Sequence, residues 1–131
     1  MTPREWYLLL NQKAFFWVAE RRVETLRNAR AYGGLRQTLI IVDCARLLSR
    51  HADRVTLCPM NSGAARPMAF PRGRRTFLPI SDYPFDESRK KRGRRNAVVE
   101  LAVEYSVPDI RDIVISVSEL GGALTEQRIW P

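Results

Sequence analysis

The chain has 131 residues, 45% of them hydrophobic, and a formal net charge of +8 at neutral pH. This length suits one domain, and the hydrophobic fraction is sufficient for a folded core, so wholesale disorder is excluded. No apolar run approaches the roughly 18 residues that a membrane-spanning helix requires, and the first residues contain no apolar segment typical of a secretory signal. We therefore expect a cytoplasmic protein with no membrane partner.

The N-terminus predicts a helix followed by a buried strand. Thr2 is a suitable N-cap, Pro3 suits the first helical position and Glu5 completes a capping box, so a helix should run to about residue 11. The strand predicted over 13–18 is aromatic and apolar from its second residue onward, which is typical of a buried strand. Trp17 in this strand is either a core side chain or a wall on which a ligand ring stacks.

The middle of the chain alternates helices and strands and then loses its regular pattern. The predicted elements are a helix over 20–32 that ends at Gly33-Gly34, a strand over 37–43, a helix over 44–51 and a strand over 55–58. Residues 59–85 are rich in proline, and a loop of this length in a compact domain is often functional. Within it, residues 76–80 indicate an edge strand, because Pro79 is poorly tolerated in a central strand.

Two β-rich runs near the C-terminus flank a Val-Pro-Asp sequence at 107–109. Proline lacks a backbone N–H and biases the preceding residue away from helix, so we predict a strand over 97–105, a turn or short helix over 107–112 and a strand over 113–118. We expect both strands to lie in one sheet, with residues 15–18 and 39–42 in its core.

Glu100 lies in the middle of the first of these strands, between apolar neighbours. Side chains alternate faces along a strand, so Glu100 shares its face with Ala102 and Glu104. In the ordinary interpretation this face of an antiparallel sheet simply meets solvent. In the alternative interpretation Glu100 lines a cleft, and the small side chain of Ala102 leaves room for a ligand.

Most of the positive charge lies in residues 66–95, which we call the basic segment. This segment has ten basic and three acidic residues, so it contributes +7 of the net +8. A patch of this kind attracts polyanions such as nucleic acid, unless it is only a solvated loop. The candidate nucleic-acid-binding residues are Arg72, Arg74, Arg75, Arg89, Lys90, Lys91 and Arg92.

The motifs of several common sites are absent. The sequence contains no P-loop, no dinucleotide-binding glycine motif, no zinc-protease motif and no CxxC pair. Cys44 and Cys58 lack zinc-site spacing, and in a cytoplasmic protein we expect both to be reduced. Because His51 is the only histidine, a Ser–His–Asp triad is not supported, and we expect no metal site.

A series of short stretches resembles the C-terminal part of a group of bacterial proteins of unknown function. The stretches are TPREWY at 2–7, LLN at 9–11, FFW at 15–17, NSGA at 61–64, PRG at 71–73, TFLPI at 76–80 and DYP at 82–84. Together they extend over most of residues 1–118.

A more distant resemblance is to DarT-like ADP-ribosyltransferases and their relatives. It rests on the aromatic strand at 15–17, the strand at 99–103 that carries Glu100, and Val107-Pro108 with the apolar run at 113–115. Enzymes of this kind begin with a strand whose His or Arg motif holds the nicotinamide end of NAD. This chain shows no such segment, so either the coding region is truncated or the scaffold is kept without the complete site.

The resemblance implies that NAD is the substrate and that the reaction breaks its glycosidic bond and transfers ADP-ribose. It implies that Glu100 is the catalytic residue, accepting a hydrogen bond from a ribose hydroxyl and stabilising the developing cationic sugar. The residues assigned to NAD binding are Phe16, Trp17, Asn61 and Ser62.

The sequence therefore predicts an α+β domain over residues 1–120, with a split, curved, mostly antiparallel sheet and two or three packed helices, followed by a loosely held tail over 121–131. The preferred function is that of an ADP-ribosyltransferase-like domain, incomplete or inactive if its first strand is missing. The alternative is a non-enzymatic nucleic-acid-binding module that uses the basic segment.

Overall fold

The structure is a computed structural model that describes residues 1–28, 35–63, 72–121 and 125–130. The fold is α+β, with one antiparallel sheet of four strands and another of three. The predicted class, α+β with a split antiparallel sheet, is therefore confirmed. The predicted helix end at 29–34 and the loop residues 64–71 lie outside the described residues.

The described helices are α1 (Pro3–Asn11), α2 (Glu20–Arg27), α3 (Cys44–His51), α4 (Phe85–Arg92) and the single turn α5 (Ile110–Ile113). The described strands are β1 (Lys13–Trp17), β2 (Gln37–Val42), β3 (Val55–Cys58), β4 (Leu78–Pro79), β5 (Glu100–Glu104), β6 (Val114–Gly121) and β7 (Thr125–Trp130). The capping box predicted at the start of α1 is present, because the Glu5 N–H donates to Thr2 Oγ1 and the Thr2 N–H donates to Glu5 Oε2.

Contacts group the chain into two compact units. The first unit comprises Met1–Glu20 and His51–Val107, and the second comprises Arg21–Arg50 and Pro108–Pro131. That residues 1–120 fold as one independent domain stays a prediction.

The sheet of the first unit has the strand order β1-β5-β3-β4, so β5 is a central strand. Glu100 on β5 is paired with Trp17 on β1 and with Cys58 on β3, both in antiparallel register. Directly opposed residues on antiparallel strands project to the same side, so these three side chains share one face of the sheet. The edge strand predicted around Pro79 is confirmed as the short strand β4, which pairs with β3.

Helix α1 packs on the face of the sheet that carries Glu100. Trp6, Cys58, Phe77 and Ala102 form a buried cluster there, and the rings of Trp6 and Phe77 stack with their centroids 5.9 Å apart. The small side chain of Ala102 is fully buried in this cluster. The idea that Ala102 leaves room for a ligand was therefore wrong, because aromatic side chains of the protein occupy the space.

The opposite face of the same sheet is apolar and also buried. Leu101 and Val103 on β5 are paired with Leu57 and Val55 on β3, and all four side chains are buried. The ordinary interpretation of β5, a strand with one wet face, was therefore wrong at Glu100, which is only 5% exposed. At the far end of the strand, Glu104 forms an ion pair with Lys13 of β1.

The sheet of the second unit has the order β2-β6-β7, and all its pairs are antiparallel. The expectation that β5 and β6 belong to one sheet was therefore wrong. After β5 the chain passes through Tyr105, which has a positive φ of 69°, and then through the turn of α5. A left-handed residue does not continue an extended strand, and β6 pairs with β2 and β7 instead.

Two further expectations for the second unit differ from the structure. The apolar strand β2 was expected in the core, but Ile40 is 49% exposed and Ile41 is 43% exposed. The segment after Gly121 was expected to be a loosely held tail, but Thr125–Trp130 forms β7 and pairs with β6. The first difference arises because an apolar run gives no information about which of its faces is covered, and the second because local composition does not show which strand a segment pairs with.

Candidate functional site

The structure brings Glu100 together with two of the residues assigned to NAD. Trp17 is directly opposite Glu100 across the β1–β5 pair, and the Ser62 N–H donates to Glu100 Oε1 at 3.2 Å. Ser62 lies in the loop that follows β3 and is itself buried. The buried carboxylate therefore ties this loop to the centre of the sheet.

Phe16 and Asn61 were also assigned to NAD binding, but the structure does not place their side chains with Glu100. Phe16 is paired with Leu101, so it projects from the opposite face of the sheet to Glu100. The prediction that Phe16 and Trp17 contribute to one site was wrong because adjacent residues of a strand point to opposite faces. The side chain of Asn61 accepts a hydrogen bond from the Gly63 N–H at 3.1 Å, so it stabilises the turn of the loop.

Substituting Glu100 tests whether its structural role depends on hydrogen bonding. Glu100→Gln keeps a side-chain oxygen that accepts from the Ser62 N–H, so we expect the free energy of unfolding to change by less than about 1 kcal/mol. Glu100→Leu removes the acceptor and leaves a buried N–H unsatisfied, which should cost about 1–3 kcal/mol. Urea unfolding of both variants measures the difference. Equal stability of the Gln and Leu variants would show that the hydrogen bond to Ser62 does not hold the loop.

Cys58 is paired with Glu100 and lies in the same buried cluster. Burial raises the pKa of its thiol to about 12, and its S–H donates to the Met60 carbonyl oxygen. The charges of Arg92 and Arg72 lower the same pKa by less than burial raises it.

The two cysteines should differ sharply in reactivity in the folded protein. Cys44 is exposed, whereas the thiol of Cys58 is buried with a pKa of about 12. A rise of about three pKa units lowers the thiolate fraction near neutral pH about a thousandfold, and the thiolate is the reactive form. Mass spectrometry after iodoacetamide treatment should find Cys44 alkylated first and Cys58 only after unfolding. Alkylation of both at similar rates would contradict the burial of Cys58.

A cleft of about 530 Å³, which we call the basic cleft, lies in the first unit, beside the loop after β3. Its walls come from the loop at Pro59 and Met60, the segment 72–78, and α4 with the two residues before it. Five basic residues line it: Arg72, Arg74, Arg75, Lys91 and Arg92. Glu87 is the one carboxylate among the described lining residues, so the formal charge of the lining is +4.

Helical spacing explains which basic residues of α4 reach the cleft. Ser88 is buried and lines the cleft, and residues three and four positions further along a helix lie on the same side. Lys91 and Arg92 occupy those positions, and both line the cleft. The predicted binding residues Arg89 and Lys90 are exposed but are not among the lining residues. Of the seven predicted nucleic-acid-binding residues, five therefore line the cleft and two do not.

Hydrogen bonds attach α4 and the residues before it to Ala97, which precedes β5 in the chain. The hydroxyl groups of Tyr83 and Ser88 both donate to the Ala97 carbonyl oxygen. Burial raises the pKa of Tyr83, so its hydroxyl stays protonated and able to donate. Arg92 is held in turn by a hydrogen bond of 2.9 Å from its guanidinium to the Pro59 carbonyl oxygen. The cleft wall formed by α4 is thus anchored at several points.

Arg72 has an unusual environment on the other side of the cleft. Its guanidinium lies over the ring of Trp6, 5.8 Å from the centroid, in a cation–π arrangement. Its Nε atom is shielded from solvent and has no hydrogen-bond acceptor among the described residues. A buried N–H without an acceptor is costly, so this donor would gain from a ligand oxygen.

Sequence reasoning found the cations of the cleft but missed its uncharged lining. Tyr83, Ser88, Thr76 and Met60 all line the cleft, and none was a candidate. Thr76 and Tyr83 lie in stretches that the family resemblance already includes, and this was the only available signal for them. Among the described residues, no cluster of His, Cys, Asp or Glu side chains could hold a metal ion.

The comparison with protein families places the chain. Residues 1–114 match a family of unknown function, DUF7002. The chain belongs to this family. The predicted resemblance to a family of unknown function is thereby confirmed, whereas the comparisons give no support to the resemblance to DarT-like enzymes.

The other comparisons found no match. No curated protein and no solved structure shows a significant similarity to the chain. In the described ranges, the helices of this DUF7002 protein are all too short or too polar to cross a membrane. The case for a function therefore depends on the geometry of the cleft and of the group around Glu100.

Proposed function

We propose that this protein is a nucleic-acid-binding module that takes the phosphate backbone of a single strand into the basic cleft. One observation carries the proposal: basic residues from two segments distant in sequence, 72–75 and 91–92, line the same cleft. Converging cations on a concave surface attract polyanions more strongly than the same charges spread over a convex surface.

The size of the cleft favours a single strand over a duplex. A volume of about 530 Å³ lies within the usual range of small-ligand pockets, about 300–1,000 Å³. A nucleotide unit of a flexible strand is small enough to enter such a cleft, whereas a duplex presents its phosphates on a stiff and much wider rod. Binding to phosphate groups releases counterions, so the affinity should depend strongly on salt and little on base sequence.

Fluorescence anisotropy with labelled single-stranded oligonucleotides of about 12 nucleotides tests the proposal. We expect DNA and RNA of several sequences to bind with similar affinity, and the affinity to fall steeply between about 50 and 200 mM salt. Inclusion of a duplex of the same sequence tests the preference for single strands. Absence of binding at low salt, or binding that salt does not weaken, would contradict the proposal.

A second candidate function is that of an ADP-ribosyltransferase-like domain with NAD as its substrate. The observation that favours it is the grouping of Glu100, Trp17 and Ser62 on the central part of the sheet. Glu100 is 5% exposed and does not line the cleft, so the residues do not fit NAD as they stand. The Ser62 N–H already donates to one oxygen of the carboxylate, so NAD would have to displace this hydrogen bond to use that oxygen.

Turnover of NAD distinguishes the second candidate from the first. If Glu100 is catalytic, the protein should release nicotinamide from NAD, and Glu100→Gln should abolish this release while leaving oligonucleotide binding unchanged. Chromatography of the reaction mixture measures nicotinamide directly. Release that is undetectable in the wild type, or equal in the Gln variant, would remove the enzymatic candidate.

A further inference from the structure

We propose that the basic cleft recognises a terminal phosphate group, with Arg72 as the anchoring residue. This inference rests on the proposed binding of phosphate-bearing ligands at the cleft, and it specifies which part of the ligand enters. The group that the cleft would bind is a phosphomonoester, which is found both at the end of a nucleic-acid strand and on a free nucleotide.

The density of charge in the cleft favours a terminal phosphate. The described lining residues carry a formal charge of +4 around about 530 Å³, and the carboxylate of Glu87 is already paired with Lys91 at 2.6 Å. Each phosphodiester of a strand carries one negative charge, whereas a phosphomonoester carries about 1.5 to 2 at neutral pH. A terminal phosphate therefore places more negative charge in this small volume than any internal part of the strand.

Arg72 is prepared to act as a directional donor. The ring of Trp6 supports one face of its guanidinium, and Trp6 is itself fixed in the buried cluster with Phe77. The Nε–H has no acceptor among the described residues, although the residue lines the cleft. A small rotation of the guanidinium towards the cleft would give Nε and a neighbouring nitrogen two phosphate oxygens in the forked geometry that arginine favours.

Two other donors lie around the same cleft. Arg92 lines the cleft and is positioned by the hydrogen bond from its guanidinium to the Pro59 carbonyl oxygen. Thr76 is buried, and its Oγ1 accepts a hydrogen bond of 3.0 Å from the Gly73 N–H. Within the described residues the hydroxyl proton of Thr76 is not committed, so it can donate to an oxygen in the cleft.

The test compares oligonucleotides of one sequence that differ only at their ends. Strands with a 5′-phosphate, a 3′-phosphate or only hydroxyl ends are titrated by fluorescence anisotropy, with a nucleoside 5′-monophosphate as competitor. We expect at least one phosphorylated strand to bind about tenfold more tightly than the hydroxyl-ended strand, from one additional pair of charge-assisted hydrogen bonds.

Arg72→Lys is the diagnostic variant, because it keeps the positive charge and removes the pair of parallel N–H donors of the guanidinium. It should abolish the preference for phosphorylated ends, measured as the ratio of the affinities for the phosphorylated and the hydroxyl-ended strand. Arg89→Lys, outside the cleft, is the matched control and should keep the preference. If Arg72→Lys does not fold, as judged by circular dichroism, Arg92→Lys replaces it, with the same expected loss of preference.

The outcomes separate this inference from the proposed function. Equal affinity for phosphorylated and hydroxyl-ended strands, with salt-sensitive binding of both, would overturn the terminal-phosphate site and leave nucleic-acid binding intact. Binding of the monophosphate without binding of any strand would support the terminal-phosphate site and overturn nucleic-acid binding. A preference that persists in both Arg72→Lys and Arg92→Lys would overturn the assignment of the site to this cleft.

Discussion

Replacing Trp6 with Ala should lower the free energy of unfolding by about 3–5 kcal/mol, the usual cost of removing a large aromatic side chain from a core. Trp6 is only 7% exposed, although it lies on a helix of nine residues near the N-terminus. It joins the buried cluster with Ala102 and Cys58 and stacks on Phe77.

Tyr7 provides a matched control for this prediction on the same helix. It is 64% exposed, so Tyr7→Ala should change the stability by no more than about 0.5 kcal/mol. Urea unfolding of the two variants, followed by far-ultraviolet circular dichroism, gives both values. If Trp6→Ala and Tyr7→Ala cost the same, helix α1 does not pack on the sheet in the way described.

Removing three cations from the cleft should weaken oligonucleotide binding on the order of 100-fold at low salt. The variant Arg74→Ala/Arg75→Ala/Lys91→Ala changes exposed residues that line the cleft, so its stability should stay close to that of the parent. Each lost contact with a single strand reduces the slope of log K against log salt by about 0.7, so the slope should fall by about two units.

The matched control removes the same charge from outside the cleft. Arg89→Ala/Lys90→Ala/Arg94→Ala changes three exposed residues of the basic segment, and none of them lines the cleft. We expect this control to lose less than about tenfold in affinity, since its charges act only at a distance. Equal losses in the two triple variants would show that net charge, rather than the cleft, determines binding.

Predictions from the sequence were reliable where the relevant interactions are local. The capping box of α1 involves residues three positions apart, and the alternation of Glu100 with Leu101 follows from strand geometry. Placing Phe16 beside Trp17 in one site neglected that same alternation, so this error could have been avoided from the sequence. By contrast, no local pattern could show that Trp6 and Phe77 occupy the space beside Ala102.

The sequence by itself determined the α+β class, the antiparallel character of the strands, the concentration of positive charge in the basic segment and membership of the DUF7002 family. Tertiary structure alone decided that β5 and β6 lie in different sheets and that Glu100 is buried against the loop of Ser62. It also decided that Arg72 and Arg92 line one cleft although they are twenty positions apart. The physical reason is that charge, capping and periodicity act over a few residues, whereas strand partners and converging side chains depend on long-range packing, which no single segment encodes.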